Sequence, residues 1–428
     1  MRFLDKKYFS KEYLSYWIAA LAAIFFVAKA IHGGNDINVY LHASQQLWNG
    51  DNIYTDNPYN NYLYSPLFAI LLWPLAFLPW ELSRSIWALF NLALIFRLWH
   101  LFSVLLPYIK NKKWYKWWHI ILIACSAGFI IHNLNLGQMT VLMLWMTMEG
   151  IVQVLQKQKK SFGALLIALG INIKIIPGIA LGYLFLRKEF RALTLTIVFV
   201  GLSLIVPSLI IGHDNNVDLM ADWKEKINPS GEKFAFEDNN GCHSLNAVIP
   251  AYFYEFPNAK YQDGERFGFY RRIASVPYER LELILNLIRI ILLLSVALTV
   301  FLRQSRNKHI NLFWQLAYLM MVSLLVFPHQ MKYSMLYFIP ALAYVLFYFL
   351  YHLQYKIKLG LAQKIVLSFA ALQCFILVIM GRDIIGNTAV NFLDYYHFMG
   401  LSNISFVLYL LICNPKPLKP ATNDPIRW

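Results

Sequence analysis

Apolar runs of near-membrane length recur along almost the whole chain, and they limit the folds open to it. A helix needs about 20 apolar residues to cross about 30 Å of hydrocarbon, and only helices or closed barrels span lipid. The runs are continuous rather than alternating, which favours helices over barrel strands. Only 14% of the residues are charged, against about 25% in soluble domains. The sequence therefore predicts an all-α, polytopic membrane protein.

The net charge of +15 raises the question of a nucleic-acid partner, and the distribution of the charge argues against one. Lys and Arg stand in short clusters between the apolar runs, at 110–116, 157–160, 187–191, 303–308 and 356–364. This spacing is typical of the cytoplasmic loops of membrane proteins. We therefore expect the lipid bilayer, and no nucleic acid, as the partner of these charges.

The apolar runs predict twelve spans within a single integral-membrane domain, 1–428. The predicted spans are 13–31, 84–106, 117–131, 138–155, 161–173, 175–187, 191–211, 281–302, 310–327, 334–353, 364–380 and 397–413. Every basic cluster then lies inside, provided that 66–80 is re-entrant or interfacial and 161–187 is a hairpin. Both termini and the tail 414–428 are expected in the cytoplasm. The loops 32–83 and 212–280 are expected outside.

The cysteines and the first apolar run give two further expectations. The four cysteines are Cys125, Cys242, Cys374 and Cys413, and no two of them share a loop. No disulfide framework and no metal-binding spacing is therefore predicted. The first apolar run follows basic residues and ends without a small-residue cleavage site, so we expect an uncleaved signal anchor.

Asp36 is the first candidate for chemistry. It lies just after the first predicted span, in the loop 32–83, which contains no Lys or Arg. One interpretation is structural, because Asn35 or Asp36 could cap an amphipathic helix at 37–48. The other is a general base, which needs a carboxylate within hydrogen-bond reach of a hydroxyl. The next carboxylate along the chain is Asp51, so the paired acids of a divalent-metal site are not expected at Asp36.

Three cations are predicted to lie on the same outer side. Lys174 interrupts an apolar run, and a charge at such a position is a functional hypothesis by default. Lysine binds phosphate as a point charge, although this side chain could also extend to the interface. His329 and Lys332 follow Pro328 at the outer end of a predicted span. They could bind the same phosphate or simply be solvated in a short loop.

Neutral residues of the outer side are the remaining candidates, for substrate binding. Amide side chains can read sugar hydroxyls and aromatic rings can stack on sugars, but polar loops and an interfacial aromatic belt are common alternatives. The candidates are Asn35, Tyr40, Tyr64, Asn135, Gln138 and His243.

The order of several motifs resembles a known family. They are 35–40 (NDINVY) with Ala43, 49–50 and Tyr54; 64–69 (YSPLFA) with 74–75; 136–138 (LGQ); 163–170 with Lys174 and Pro177; and 328–329 (PH). Over roughly residues 30 to 340 the chain resembles the polyprenol-phosphate-mannose-dependent mannosyltransferases of glycosyltransferase family 87, which have the GT-C fold. The chain has Ser65 where that family leads us to expect Pro, and Lys332 where many relatives would be apolar.

The resemblance implies a function. Asp36 matches the catalytic aspartate of the family's first external loop, which is re-entrant in GT-C enzymes. The family implies a polyprenyl-phosphate-linked sugar donor, usually mannose, used on the periplasmic side of the inner (plasma) membrane to modify a glycolipid or glycan acceptor, with no cofactor expected. A twelve-span transporter and a lipid flippase are the alternative functions. Transporters usually show internal repeats, and the sequence shows none.

Overall fold

Helices account for all regular structure in the part of the chain that the structure describes. This computed structural model describes residues 14–33, 35–54, 62–106, 112–227, 236–257, 267, 270–301, 307–416 and 418. The helices of the first third are α1 (Leu14–His32), α2 (Asn35–Asn49), α3 (Pro66–Leu71), α4 (Trp73–Ala76), α5 (Trp80–Leu105), α6 (Lys112–Leu136) and α7 (Thr140–Leu155). They are followed by α8 (Lys160–Ile173), α9 (Ile179–Leu186), α10 (Phe190–Ile205), α11 (Ser208–Ile211), α12 (His213–Lys226) and α13 (Leu245–Phe253). The last are α14 (Tyr278–Phe301), α15 (Lys308–Val326), α16 (Ile339–Tyr355), α17 (Leu361–Ile379), α18 (Arg382–Tyr395) and α19 (Phe398–Ile412).

Helices coincide with all twelve predicted apolar runs, and many are long enough to cross a membrane. Among the described residues seven helical segments meet the length and hydropathy of a span, or eight if the bent pair α18 and α19 forms one. The seven are Trp80–Leu105, Lys113–Leu136, Phe190–Ile211, Tyr278–Phe301, Lys308–Val326, Lys332–Tyr355 and Leu361–Ile379. Four shorter apolar helices, Ala23–His32, Thr140–Leu155, Lys160–Ile173 and Ile176–Leu186, fall below that length. The chain is a multi-pass membrane protein, and the count of twelve stays a prediction.

The centre of the molecule is formed by α15 and by the segment Lys332–Tyr355, which joins a short 3-10 helix (Lys332–Phe338) to α16. Each is 83% buried over its most apolar window, against 17% for α10, α14 and α17. α15 packs on α16 and α19, and α6 packs on α16. The outer helices expose large apolar side chains such as Leu294 and Phe375. Continuous apolar exposure of this kind is suited to contact with lipid.

The contact between α7 and α8 depends on two small residues. A Cβ on Gly163 would lie 2.5 Å from the Gly150 carbonyl oxygen, and a Cβ on Gly150 would lie 2.7 Å from Ile167 Cγ1. Small residues allow helix backbones to approach closely, which is how helices associate in lipid without a hydrophobic driving force. α8 is held firmly as a result, and the residues that follow it are held with it.

The segment from α8 to α9 doubles back on itself. α8 ends at Ile173, a 3-10 turn covers Ile176–Gly178, and α9 returns to Leu186. Lys160 Nζ at the start of α8 lies 2.8 Å from Glu189 Oε2, just beyond the end of α9. The two ends of the segment therefore meet, and Lys174 lies at the opposite tip. This arrangement is the hairpin predicted from the sequence.

The segment 66–80 is two short helices rather than one span. Ser65 caps α3 by accepting a hydrogen bond from the Phe68 backbone N–H at 3.3 Å, and Pro66 occupies the first turn, where proline is favoured. α3 and α4 both pack on α2. The proposal that this segment re-enters the membrane stays a prediction.

The topology separates the basic clusters from the candidate residues. α6 begins at Lys112 and ends just before Gln138, and α7 runs back to the cluster 157–160. α8 then leads from that cluster to Lys174. Along each of these helices the basic cluster lies at one end and the candidate site residues at the other. Which of these two ends faces the periplasm stays a prediction.

Candidate active site

Asp36 lies in the first turn of α2 and faces the end of α6. Its Oδ2 accepts a hydrogen bond of 2.8 Å from Gln138 Nε2. Burial raises the pKa of the Asp36 carboxyl, while the Gln138 hydrogen bond and the charge of Lys174 oppose this rise. A carboxyl at the start of a helix also interacts favourably with the helix dipole. Asp36 thus lies at the start of a helix, as expected if its role were structural. It also interacts with residues that are distant in sequence, as expected of a catalytic group.

Two tyrosines extend the hydrogen-bonded chain that begins at Asp36. Tyr40 Oη donates to Gln138 Oε1 at 3.0 Å and lies 3.2 Å from Tyr64 Oη. The Tyr40 and Tyr64 rings pack edge to face, with centroids 5.0 Å apart. Tyr40, Tyr64 and Gln138 are all buried. Three predicted site residues therefore surround Asp36, and their burial suits them to orienting the carboxylate.

Gly137 allows Gln138 to reach Asp36. Its φ of +69° is in the left-handed region that glycine adopts readily. A Cβ at this position would lie 2.7 Å from Ile37 Cβ, next to Asp36 in the chain. The Gly137 carbonyl oxygen accepts a hydrogen bond of 2.7 Å from Trp87 Nε1. These contacts explain physically why the sequence reads Leu-Gly-Gln at 136–138.

Lys174 brings a positive charge to the same site. It lies between α8 and the turn of the hairpin, and its Nζ is 5.9 Å from the centroid of the Tyr333 ring. Lys174 and Asp36 attract each other electrostatically. Burial lowers the pKa of Lys174 to about 8, although the negative charge of Asp36 opposes this. A carboxylate and a lysine that is deprotonated more easily than usual thus share one site.

A hydrogen bond ties the hairpin tip to the segment 62–80. Ser65 Oγ donates to Asn172 Oδ1 at 2.5 Å, and Asn172 is two residues before Lys174. Ser65 and Asn172 are both buried. Ser65 stands where a proline was expected. Its hydrogen bond therefore connects the segment that carries Tyr64 with the segment that carries Lys174.

The first cluster of the site is made of Asp36, Tyr40, Tyr64, Gln138 and Lys174. His329 belongs to a second cluster next to it. The Glu237 carboxylate accepts a hydrogen bond of 2.6 Å from the His329 backbone N–H, and its Oε2 lies 3.0 Å from His329 Nδ1. Cys242 Sγ donates to the same Oε2 at 2.9 Å. Burial raises the pKa of Glu237, but hydrogen bonds from His329 and Cys242 outweigh it, so the pKa lies below its ordinary value. Burial and the adjacent carboxylate raise the pKa of the Cys242 thiol.

Lys332 and His243 are close in sequence to the residues of this second cluster, since His243 follows Cys242 and Lys332 is three residues after His329. Lys332 interacts electrostatically with His243 and with Asp394. His243 is 2% exposed, and its backbone N–H donates to the Gln330 carbonyl oxygen at 2.7 Å. Burial lowers the pKa of His243 to about 3, which keeps the ring neutral. His243 therefore holds the loop against the 329–332 segment, and its buried ring has little surface to offer a substrate.

Asn135 and Asn35 complete the predicted set. The Asn135 carbonyl oxygen lies 2.6 Å from where a Cβ on Gly33 would stand, so the ends of α1 and α6 are in close contact. Asn135 Oδ1 is buried without a hydrogen-bond partner among the described residues. Asn35 begins α2, and its side chain lies outside the described part of the structure.

Sequence reasoning missed the residues that join the two clusters. Tyr333 interacts electrostatically with Asp36 and Tyr64 of the first cluster and with Glu237 and Cys242 of the second. Its only signal in the sequence was its place beside Lys332 in a predicted outer turn. Glu237 and Cys242 gave no signal, because their partner His329 is far away along the chain.

The fold and this site define a class: a multi-pass membrane protein with a half-buried carboxylate and a lysine at one end of its helices. The family model of glycosyltransferase family 87 matches residues 62–328. The chain belongs to this family, and it is a membrane glycosyltransferase. The match confirms the predicted resemblance; it includes Tyr64, Gln138 and Lys174 but not Asp36. A search among individual curated proteins gave no match.

Proposed function

We propose that the protein transfers a sugar, mannose in the first instance, from a polyprenyl-phosphate donor to an acceptor hydroxyl on the outer, periplasmic side of the inner membrane. The observation that supports this most is the electrostatic attraction between Asp36 and Lys174, two half-buried groups of one site. A base and a phosphate-binding cation are what such a reaction needs on either side of the anomeric carbon. The donor and the sugar come from the family resemblance.

The proposed reaction is a single inverting displacement. Asp36 takes the proton of the acceptor hydroxyl as its oxygen attacks the anomeric carbon. The bond from that carbon to the phosphate oxygen breaks, and its electron pair leaves with polyprenyl phosphate. Lys174, with His329 and Lys332, stabilises the negative charge that develops on this leaving group. The base is proposed to act without a metal.

The neighbours of Asp36 have a positioning role in this proposal. Gln138 donates to one carboxylate oxygen and leaves the other for the acceptor. Tyr40 and Tyr64 hold the Gln138 amide in place. Asn35 and Asn135 are retained as proposed substrate-binding residues, whereas the buried ring of His243 is proposed to hold its loop in place rather than to contact the substrate.

The test uses purified protein in lipid nanodiscs with labelled polyprenyl-phosphate sugars and candidate acceptors. Asp36→Asn keeps the shape of the side chain but removes the base, so transfer should fall by about 10²–10⁴-fold or more, with donor binding retained. Asp51→Asn, an exposed carboxylate of the same loop, is the matched control and should remain active. Near-normal transfer by Asp36→Asn, or retention of anomeric configuration in the product, would contradict the mechanism.

A further inference from the structure

The second cluster has the composition of a metal site. Glu237, Cys242 and His329 each offer one ligand atom, and these atoms lie within 4.8 Å of one another. Oε2 of Glu237 is 2.9 Å from Cys242 Sγ and 3.0 Å from His329 Nδ1. Cys242 Sγ and His329 Nδ1 are 4.0 Å apart. Among the described residues this is the one group of three such side chains that converge in this way.

These distances are close to those of a tetrahedral zinc site. With zinc bond lengths of about 2.0–2.3 Å, tetrahedral ligand atoms stand about 3.3–3.7 Å apart. Side-chain shifts of less than about 1 Å would bring all three atoms to that spacing. Thiolate, imidazole and carboxylate are the three ligand types that zinc takes in proteins, whereas Mg²⁺ and Ca²⁺ take oxygen ligands.

The ligands are held in place from both sides. The His329 backbone N–H donates to Glu237 Oε1, which leaves Oε2 for a metal. The His243 backbone N–H donates to the Gln330 carbonyl oxygen at 2.7 Å, so the loop carrying Cys242 is fixed to the segment carrying His329. His329 has a φ of +54°, a conformation that costs energy in a non-glycine residue and is concentrated at functional sites. The site would need little rearrangement to bind an ion.

The burial of Glu237 and Cys242 is a further reason to expect a cation between them. Glu237 is 7% exposed and Cys242 is fully buried. A carboxylate in such a place is costly without a positive partner, and the imidazole beside it supplies a full charge only when protonated. A divalent ion would neutralise both the carboxylate and a thiolate.

We propose that Glu237 Oε2, Cys242 Sγ and His329 Nδ1 bind a zinc ion. On binding, the Cys242 thiol loses its proton to solvent and the sulfur donates an electron pair to the metal; no electron is transferred. Three protein ligands leave a fourth position for water, which can enter because the His329 side chain is 44% exposed. The other ring nitrogen of His329, Nε2, is not a metal ligand in this proposal. The ion would fasten the loop 236–244 to the segment 328–333, next to Tyr333.

The experiment measures metal directly and is independent of sugar transfer. Full-length protein, purified in detergent without a polyhistidine tag, is loaded with zinc, dialysed and analysed for metal content. We expect one zinc ion per chain. Loss of a residue that only hydrogen-bonds to a metal ligand typically weakens metal binding about 10–100-fold. Cys242→Ser and Glu237→Gln remove ligands and should weaken zinc binding by more than this. Cys413→Ser, a remote buried cysteine, and His213→Ala, an exposed histidine, should retain it.

Cobalt substitution identifies the sulfur ligand and guards against misfolding. Co²⁺ bound to the wild type should show a thiolate-to-metal absorption band, which Cys242→Ser should lack while still eluting as a monodisperse peak. Absence of zinc from the loaded wild type would overturn the proposal, as would full zinc retention by monodisperse Cys242→Ser. Preference for copper(I), which would recruit the thioether of Met331, 3.3 Å from Cys242 Sγ, would overturn the assignment to zinc.

Discussion

The direction of the Gln138 amide determines what Asp36 can do. Tyr40 Oη donates to Gln138 Oε1, so the amide nitrogen faces Asp36 and must donate to it. This hydrogen bond favours the ionised carboxylate and fixes one oxygen as an acceptor. Tyr64, 3.2 Å from Tyr40 Oη, completes the chain that sets this direction. A carboxylate held in this way is prepared to accept a proton through its other oxygen.

Replacing Gln138 tests this arrangement. Gln138→Leu removes a hydrogen bond to a charged group, worth about 1.5–3 kcal/mol, so kcat/KM for sugar transfer should fall by about 10–100-fold. Gln354→Leu, near the opposite end of the helices, is the matched control and should leave kcat/KM unchanged. Steady-state kinetics on both variants provides the measurement, and an unchanged value for Gln138→Leu would show that the amide does not orient the base.

The pH dependence of transfer should be bell-shaped. Its acid limb should lie at a higher pH, and its alkaline limb at a lower pH, than an ordinary aspartate and an ordinary lysine would give. In the proposed mechanism the active form has Asp36 ionised and Lys174 protonated. Burial raises the pKa of Asp36 above its usual value of 3.8, so activity should be lost at a higher pH than for an ordinary aspartate as the pH falls. Burial lowers the pKa of Lys174 to about 8, so activity should also be lost as the pH rises through that value.

Lys174→Arg separates the two limbs in a profile of kcat/KM, which reports the free enzyme. Arginine stays protonated to above about pH 12, so the alkaline limb should move upward while the acid limb stays in place. If the alkaline limb of this active variant remained near that of the wild type, Lys174 would not be the group that titrates there.

The sequence identified Asp36, Lys174, Tyr40, Tyr64 and Gln138, and the structure brings all five together. Charge in an apolar run drew attention to Lys174, and position after a span drew attention to Asp36. The two tyrosines and Gln138 were candidates as aromatic or amide residues of the outer side, and the roles of all five stay predictions. Glu237 and Cys242 have no such signal, because a loop without periodicity does not show which distant residue its side chains meet. His329 was predicted, but its pairing with Glu237 could come only from three-dimensional structure.

At the scale of helices, close packing of α7 on α8 controls where Lys174 lies. Gly163→Ala would place a Cβ 2.5 Å from the Gly150 carbonyl oxygen, and overpacking of this kind costs about 1–3 kcal/mol. Gly182→Ala in α9 is the matched control, because its Cβ would meet nothing within 4 Å. We expect Gly163→Ala to lower the midpoint of thermal unfolding in detergent and Gly182→Ala to preserve it. Equal midpoints would mean that the two helices can separate without cost.

Helix length explains why the sequence predicted the positions of the helices better than the number of membrane crossings. Hydropathy located a helix at each apolar run, since a continuous apolar run in lipid must be helical. α8 has 14 residues, or about 21 Å at 1.5 Å per residue, which is less than the hydrocarbon thickness. Whether such a helix crosses depends on packing and on the surrounding membrane, which the sequence does not contain.

At the scale of the whole molecule, the basic clusters and the site residues lie at opposite ends of the helices. The positive-inside tendency then predicts that Asp36 lies on the outer side. In intact cells, a membrane-impermeant maleimide should label His213→Cys, in the loop 212–280, above the wild-type background. Lys159→Cys should be labelled only after permeabilisation. The reverse pattern would place the active site in the cytoplasm and exclude a periplasmic reaction.

The electrostatic interaction of Tyr333 with both clusters has a consequence for the order in which the site is made. Asp36, Gln138 and Lys174 leave the ribosome first, whereas Tyr333 follows Lys174 by about 160 residues. At about 5–20 residues per second, this is a delay of roughly 10–30 s. During that interval the central segment Lys332–Tyr355 has yet to be synthesised. We therefore expect Asp36, Gln138 and Lys174 to be able to meet in a nascent chain before the core that encloses them has been made.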